Sequence, residues 1–309
     1  MMITIIKKII NYICNEEYRF CVKARHGKLN NISDEDFLKE LYRIRMGRCL
    51  NLDNPKRLTE KMQWLKCYNH DPLLVKMVDK LEVRKIVKDL IGPNHVVPVL
   101  GVWNRAEEIT RETIEHLPDK FVLKCTHDSG SVIICRNKDT FNLQDARLKL
   151  SDSLKHNHYF GGREWPYKDV PHKIIAEGLL ENNDKSRLVE YDVFCFNGKA
   201  EFVSVCYGDR DKNEERYNDM YSVDGKKLPF TWGYPSSNKT LHLDNKFYEA
   251  IEYSEKLSQG LAFVRVDFYL CNNQLYFSEF TFFHWSGMKK FEPEMYDLIM
   301  GEKLPLNLK

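Results

Sequence analysis

Lys124 stands inside an otherwise apolar run, Phe121-Val122-Leu123-Lys124-Cys125, and a short polar loop, His127-Asp128-Ser129-Gly130-Ser131, follows it. A lysine in such a strand meets an anion if it points into a cleft. The loop offers backbone N–H groups, two serine hydroxyls and one glycine, which are the parts of a phosphate cradle. It lacks the Gly-x-x-x-x-Gly-Lys-Ser/Thr pattern of a Walker A loop. A solvated hairpin turn with an edge-facing lysine reads the same way. The second set is acidic. Asp267 and Glu279 lie on the two arms of a hairpin around Asn272-Asn273, and alternation counted from that turn lets both project from one sheet face. Two adjacent carboxylates repel unless a cation sits between them. Mg²⁺ takes oxygen ligands from one or two carboxylates together with substrate phosphates. Salt bridges to Arg265 or a nearby lysine are the plainer account of the same pair.

Four weaker signals accompany these. The run Ile174-Ile175-Ala176-Glu177-Gly178-Leu179-Leu180 can offer backbone hydrogen bonds to a purine edge, or be a plain core strand. Asp209-Arg210-Asp211 resembles the metal site of nucleotide-sugar glycosyltransferases, but the charge run continues to Arg216, as a solvated loop would. His284-Trp285-Ser286 has no Gly-x-Ser-x-Gly elbow around it. Arg163-Glu164-Trp165-Pro166-Tyr167, beside Gly161-Gly162, can line a ligand or brace a loop.

The elements that must hold these residues can be read from the pattern. The first 70 or so residues are helical and basic, with Ser33 as an N-cap before Asp34-Glu35-Asp36. Asp71-Pro72 opens a helix that Gly92-Pro93 stops, with Leu74, Val78, Leu81, Ile86 and Leu90 as its stripe. Strands are expected over 96–103, 120–126, 131–136 and 173–180, with a helix over 142–156. Asn197-Gly198 joins two strands, 191–196 and 199–206, as a type I′ hairpin. A helix capped by Asp244 and stopped by Gly260 precedes the Asn272-Asn273 hairpin. This order predicts an α+β protein with largely antiparallel sheets rather than a doubly wound fold.

Composition narrows the class. The chain has 309 residues, 43% hydrophobic and 30% charged, so it can bury a substantial core. Its net charge is +2, which gives no reason to expect a nucleic-acid partner. Nine cysteines without a CxxC pair read as small buried side chains in a reducing compartment. The N-terminal apolar run is interrupted by Lys7-Lys8, and a membrane span needs about 20 apolar residues. Ile6, Ile9, Ile10 and Ile13 share one helical face. That face either docks on the body or lies on a membrane surface near a lipid-linked substrate. The expected location is the cytoplasm, with peripheral association at the inner membrane surface as the alternative.

Taken in order, these segments resemble the TupA-like branch of the ATP-grasp superfamily, the teichuronopeptide-biosynthesis type. The likeness runs from Asn51 to Leu306. It includes Glu60-Lys61-Met62-Gln63-Trp64-Leu65-Lys66, Val78-Asp79-Lys80 with Val83-Arg84, and Phe121–Cys125 with His127, Ser129 and Gly130. It continues with Gly162–Tyr167, Ile174–Glu177, Phe194–Lys199, Phe263–Asp267 and Glu279-Phe280-Thr281. The resemblance implies an ATP-grasp fold of two α+β lobes with ATP between them. The regions would be a helical N-terminal part (1–70), a preceding segment (71–119), a small lobe (120–180) and a large lobe (181–309).

It also implies an ADP-forming carboxylate–amine ligase of capsule or cell-surface polysaccharide biosynthesis. Such an enzyme would amidate the uronic-acid carboxylate of a sugar or glycan with a small amine through an acyl phosphate. Carried over, Lys80 and Lys124 would bind phosphate and His127, Ser129, Gly130 and Ser131 would form the phosphate loop. Glu177, Gly178, Leu179 and Leu180 would face adenine, and Glu190 the ribose. Asp267 and Glu279 would hold Mg²⁺, and Arg265 would steady the acyl phosphate. Asp128 and Ser131 stand where the family usually has glycine, and Asp192 where a basic residue is usual. Thr281 replaces an Asn metal ligand of wider ATP-grasp enzymes, and His284-Trp285 replaces a smaller turn. Two other classes stand beside this reading: a glycosyltransferase with metal at Asp209 and Asp211, and a non-catalytic ATP-binding scaffold.

Overall fold

A computed structural model describes residues 10–207 and 216–306. The N-terminal part holds α1 (Glu16–Arg25), α2 (Asp34–Met46) and α3 (Leu58–Tyr68). Ser33 caps α2 by accepting from the Asp36 N–H, as its position predicts. Phe37, Leu38, Leu41, Tyr42 and Met46 of α2 bury their stripe together with Met288, far along the chain. Ile6 and Ile9 lie outside the described residues, whereas Ile10 and Ile13 are exposed rather than docked. Among the described residues no helix is long and apolar enough to cross a membrane.

The expected single helix after Asp71 is two, α4 (Pro72–Val78) and α5 (Val83–Ile91). Asp71 caps the first through the Leu73 N–H. Asp79 causes the break: its carboxylate accepts from the N–H groups of Leu81 and Glu82, an alternative to the helical ladder. The break frees the Lys80 N–H to bond Thr126 O, which ties this segment to the end of the Lys124 strand.

Two antiparallel sheets follow. The four-stranded sheet has the order β1 (Val99–Trp103), β4 (Ile174–Gly178), β2 (Phe121–Cys125), β3 (Ile133–Cys135). Phe121, Leu123, Cys125 and Ala176 face α6 (Leu143–Leu154) and pack with its Leu143, Ala146 and Leu150. Each fully buried leucine there contributes about 1.5–3 kcal/mol. Alternation then sends Val122 and Lys124 to the opposite face.

The five-stranded sheet has the order β10 (Gln274–Thr281), β9 (Phe263–Cys271), β5 (Val189–Phe196), β6 (Lys199–Tyr207), β7 (Tyr217–Ser222). The strand β8 (Thr231–Trp232) pairs with β11 (Phe291–Glu292). One face of the large sheet buries Tyr191, Val193 and Val266 in the core shared with Phe247, Ala250 and Leu257 of α7 (Asn245–Leu257). Asn197 and Gly198 both have positive φ, 50° and 76°, as the type I′ hairpin requires. The other face of this sheet carries the acids described next.

Candidate active site

On the small sheet, Lys124 projects from the face away from α6, beside Glu177 on β4. Its Nζ lies 2.7 Å from Glu177 Oε2, and Arg84 pairs with the other carboxylate oxygen. Lys80 donates from Nζ to the Asp128 carbonyl at the head of the loop. Arg84 and Lys124 thus share one carboxylate, and Lys80 stands beside them at the head of the loop. Burial pushes the Lys124 ammonium down, Lys80 and Arg84 add to this, and Glu279 opposes it from the large lobe. On this same face Val102 and Ile134 stay exposed (45 and 43%), an apolar wall that a flat base can cover.

Arg84, part of a matching segment, carried no site role in the sequence reading. The signal was present: it stands four residues after Lys80, and its Nε donates to Lys80 O at 2.8 Å, so the two share one side of the chain turn.

The loop itself is divided. Ser131 Oγ accepts from the Cys125 N–H at 2.8 Å and donates to Asp128 Oδ1 at 2.6 Å. The two departures from glycine therefore brace each other, and Ser131 is buried. His127 is buried as well, stacked on His172 at 3.6 Å, with Nε2 3.3 Å from Ser153 O. Burial, with His172 beside it, pushes the His127 imidazole down to about 4. The side chains of His127 and Ser131 thus brace the loop, leaving its backbone N–H groups as what it can offer a phosphate. Ser129 and Gly130 form the exposed tip, and Gly130 has φ +107°, a conformation that favours glycine.

On the large sheet the acids converge. Asp267 is the register partner of Glu279 on β10 and of Asp192 on β5, so three adjacent strands carry carboxylates on one face. A bulge between Phe277 and Glu279 creates this alignment: the unbroken register from the turn would set Ser278 opposite Asp267 and turn Glu279 to the other face, which corrects the simple count. Arg265 clamps Asp267 through Nε–Oδ1 at 2.7 Å and Nη2–Oδ2 at 2.5 Å. Its Nη1 is 3.9 Å from Asp192, and its Nη2 donates to Thr281 Oγ1 at 3.1 Å. Burial pushes the Asp267 carboxyl up; Arg265 pulls against this, while Asp192 and Glu279 add to it. Glu279 carries no hydrogen bond or ion pair among the described residues. The donor set suits Mg²⁺: oxygen ligands, crowded negative charge and one carboxylate still unengaged. Glu190 pairs with Arg216 at 2.8 Å, next to Asp192 and Cys206. Gly178, Leu179 and Leu180 continue from β4 toward this lobe, half-buried.

His284 belongs to the site through Arg265, whose Nη1 donates to His284 Nδ1. Burial and the Arg265 charge push the imidazole far down, so it stays neutral with Nε2–H toward Trp232 O at 3.4 Å. The next two residues, Trp285 and Ser286, are left-handed (φ 51° and 57°), which costs about 1–2 kcal/mol each outside glycine. They are held from the helical region. Lys66 Nζ, fully buried, donates to Ser286 O and Oγ and to Gly162 O at 2.8–2.9 Å, and Gln63 Nε2 donates to Gly287 O at 3.0 Å.

The remaining candidates divide. Arg163 is buried, donates to Leu29 O at 2.7 Å and lies 4.6 Å over the Phe37 ring, so it braces the loop. Tyr167 sits near Glu279 and Asp267, which help burial raise its phenol far above the ordinary value. Asp209 and Asp211 lie outside the described residues.

Residues 60–305 match the family model described as TupA-like ATPgrasp. Solved structures similar to the chain include the ATP-grasp ligase PsnB complexed with minimal precursor, at 10% identity and TM-score 0.40, over 72% of this chain and 60% of that one. They also include D-alanine-D-alanine ligase from Helicobacter pylori, at 17% identity and TM-score 0.39, over 74% of this chain and 61% of that one. D-alanine–D-alanine ligase from Bacillus anthracis complexed with ATP has 15% identity and TM-score 0.40, over 74% and 66%. The chain spans about 60% of the length of the first of these. No curated protein matches it. With the family model running from the Glu60 helix through both sheets to the last helix, the chain belongs to the TupA-like ATP-grasp family and has its ATP-grasp fold.

Proposed function

We propose that the protein is an ADP-forming, ATP- and Mg²⁺-dependent ligase that joins the carboxylate of an acidic sugar to an amine in surface-polysaccharide biosynthesis. The observation that carries this reading is the pairing of two charged groups on facing elements. Lys80, Arg84 and Lys124 gather at the small sheet, Glu279, Asp267 and Asp192 share one face of the large sheet, and Lys124 lies near enough to Glu279 for that charge to favour its ammonium. Triphosphate needs the first set, and its counter-ion needs the second. Family membership supports the same assignment.

A carboxylate is a poor electrophile because its oxygen leaves poorly. Phosphorylation turns that oxygen into a good leaving group, and fixed cations spread the charge of the transferring phosphoryl group. Lys124 and Lys80 would bind and orient the phosphates, with the Ser129-Gly130 tip closing over them. Adenine would lie on the Val102 and Ile134 wall against the backbone of Glu177 to Leu180, and Glu190 would meet the ribose. Mg²⁺, held by Asp267 and Glu279, would neutralise phosphate charge. Arg265 would steady the acyl phosphate, kept in position by Asp267 and by neutral His284. Excluding water from the closed site would protect that intermediate.

The test is ADP and phosphate release from ATP against a panel of uronic-acid sugars and small amines. Full release is expected only when an acid and an amine are both present. Formation of AMP and pyrophosphate would contradict the acyl-phosphate route.

A further inference from the structure

Trp285 combines three features that folding alone does not explain. Its backbone is left-handed at φ 51°, its indole is 42% exposed, and it follows the metal hairpin by only four residues. The surroundings are built to keep it there. Lys66 and Gln63 fix Ser286 and Gly287 from α3, and Met288 anchors the loop in the α2 cluster. Gly233, at φ +111°, lies against the indole, and a Cβ there would overlap Trp285 Nε1. Backbone strain held in place by several independent contacts is a mark of functional positions.

The indole does not stand alone. Tyr234 meets it at 5.5 Å and 57°, and Arg216 lies 5.0 Å from the Tyr234 ring centre, joining the pair to Glu190. Lys289 lies 5.9 Å from the Trp285 ring centre, and Lys290 beside it is exposed. On the inner side His284 connects to Arg265. The platform therefore sits at the Arg265 end of the cleft, whereas the apolar wall for a base is on the small sheet. An aromatic face framed by cations fits a ring with one apolar C–H face and a carboxylate.

The geometry points to Trp285, with Tyr234, as the stacking platform for the pyranose ring of an acidic sugar, with the Lys289 charge near its carboxylate. This rests on the ligase reading above and names how its acid substrate is held. Trp285 is then a specificity-determining residue for the acid and has no part in nucleotide binding.

The test is isothermal titration of the full chain with methyl β-D-glucuronoside and with a short peptide carboxylate, each with and without ADP and MgCl₂, and separately with ADP. Wild type is compared with Trp285→Ala and Trp285→Phe. Binding of the glucuronoside is expected to fall roughly tenfold or more in Trp285→Ala and to return to within about threefold in Trp285→Phe. ADP affinity should be the same in all three. If Trp285→Ala does not fold, Trp285→Gly replaces it, since glycine suits the left-handed backbone. Equal glucuronoside affinity in the folded variant, or none in wild type, overturns the platform. Stronger Trp285-dependent binding of a short peptide carboxylate than of the glucuronoside overturns the sugar assignment. Failure of ADP to bind wild type would instead sink the nucleotide site and leave the glucuronoside comparison standing.

Discussion

Replacing Lys124 by methionine removes one charge from the phosphate side of the cleft while keeping most of the apolar stem. The Lys124 side chain is 16% exposed and its Nζ is 2.7 Å from Glu177, which retains Arg84 when the lysine is gone. The fold should therefore survive with a loss of about 1 kcal/mol. Nucleotide binding should suffer more. An ammonium about 4 Å from a phosphate is worth up to roughly 4 kcal/mol at an effective dielectric constant near 20. Glu177 already takes part of that, so a net loss of about 1.5–3 kcal/mol is expected, or about ten- to a hundredfold in ATP affinity. Lys120 is the control. Its side chain is 53% exposed and paired with Glu181 at the strand's start, where an ion pair contributes about 0–1 kcal/mol. Lys120→Met should change ATP affinity by less than about twofold. The assay is nucleotide titration of wild type and both variants, with thermal unfolding to establish folding. Equal ATP affinity for wild type and folded Lys124→Met would mean that this face of the small sheet does not carry the phosphates.

Four further outcomes are expected. Glu279→Gln should lower turnover by about 10²–10³-fold at saturating Mg²⁺ with little change in thermal stability, since Glu279 has no ion pair to lose. Asp267→Asn should also destabilise the fold, because Arg265 is left buried without its carboxylate, and chemical denaturation separates the two. His127→Phe should leave ATP affinity within about twofold, as its buried ring faces His172; a larger loss would put the ring back in the phosphate site. Burial alone would raise the Asp219 carboxyl, but Lys227 and the hydroxyls of Ser236, Tyr207 and Ser237 bring it down to about 2. Its folded value is depressed, so its contribution is full above the unfolded value of about 3.9 and is lost as pH falls toward 2. The urea-stability gap between wild type and Asp219→Asn should accordingly narrow from pH 5 to pH 2.5; a gap that stays constant would refute this.

The hairpins were legible because their turns impose backbone conformation locally: Asn197-Gly198 and Asn272-Asn273 have the left-handed φ values that asparagine and glycine tolerate. Simple alternation from Asn272-Asn273 would have set Ser278 opposite Asp267 and turned Glu279 to the other face; the bulge at Ser278, which no local count reveals, brings the two acids together. The break at Asp79 was missed because the apolar stripe runs through it, and a capping side chain competes with periodicity only in three dimensions. The stacking of His127 on His172 was not legible for a related reason: its partner is distant in sequence, and no local pattern marks the pair. The roles of Asp192, Lys66 and Trp285 depend on contacts between segments far apart in the chain, and no local pattern carries them.

The ligase reading turns on one bond, between the acid's oxygen and the γ-phosphorus of ATP. The most direct measurement uses glucuronate labelled with 18O in its carboxylate, ATP, Mg²⁺ and hydroxylamine as the amine. Mass spectrometry of the released phosphate then reports the origin of its oxygens. The account predicts ADP, a hydroxamate and phosphate carrying one 18O from the acid. Unlabelled phosphate, or label found in AMP with pyrophosphate released, would contradict it.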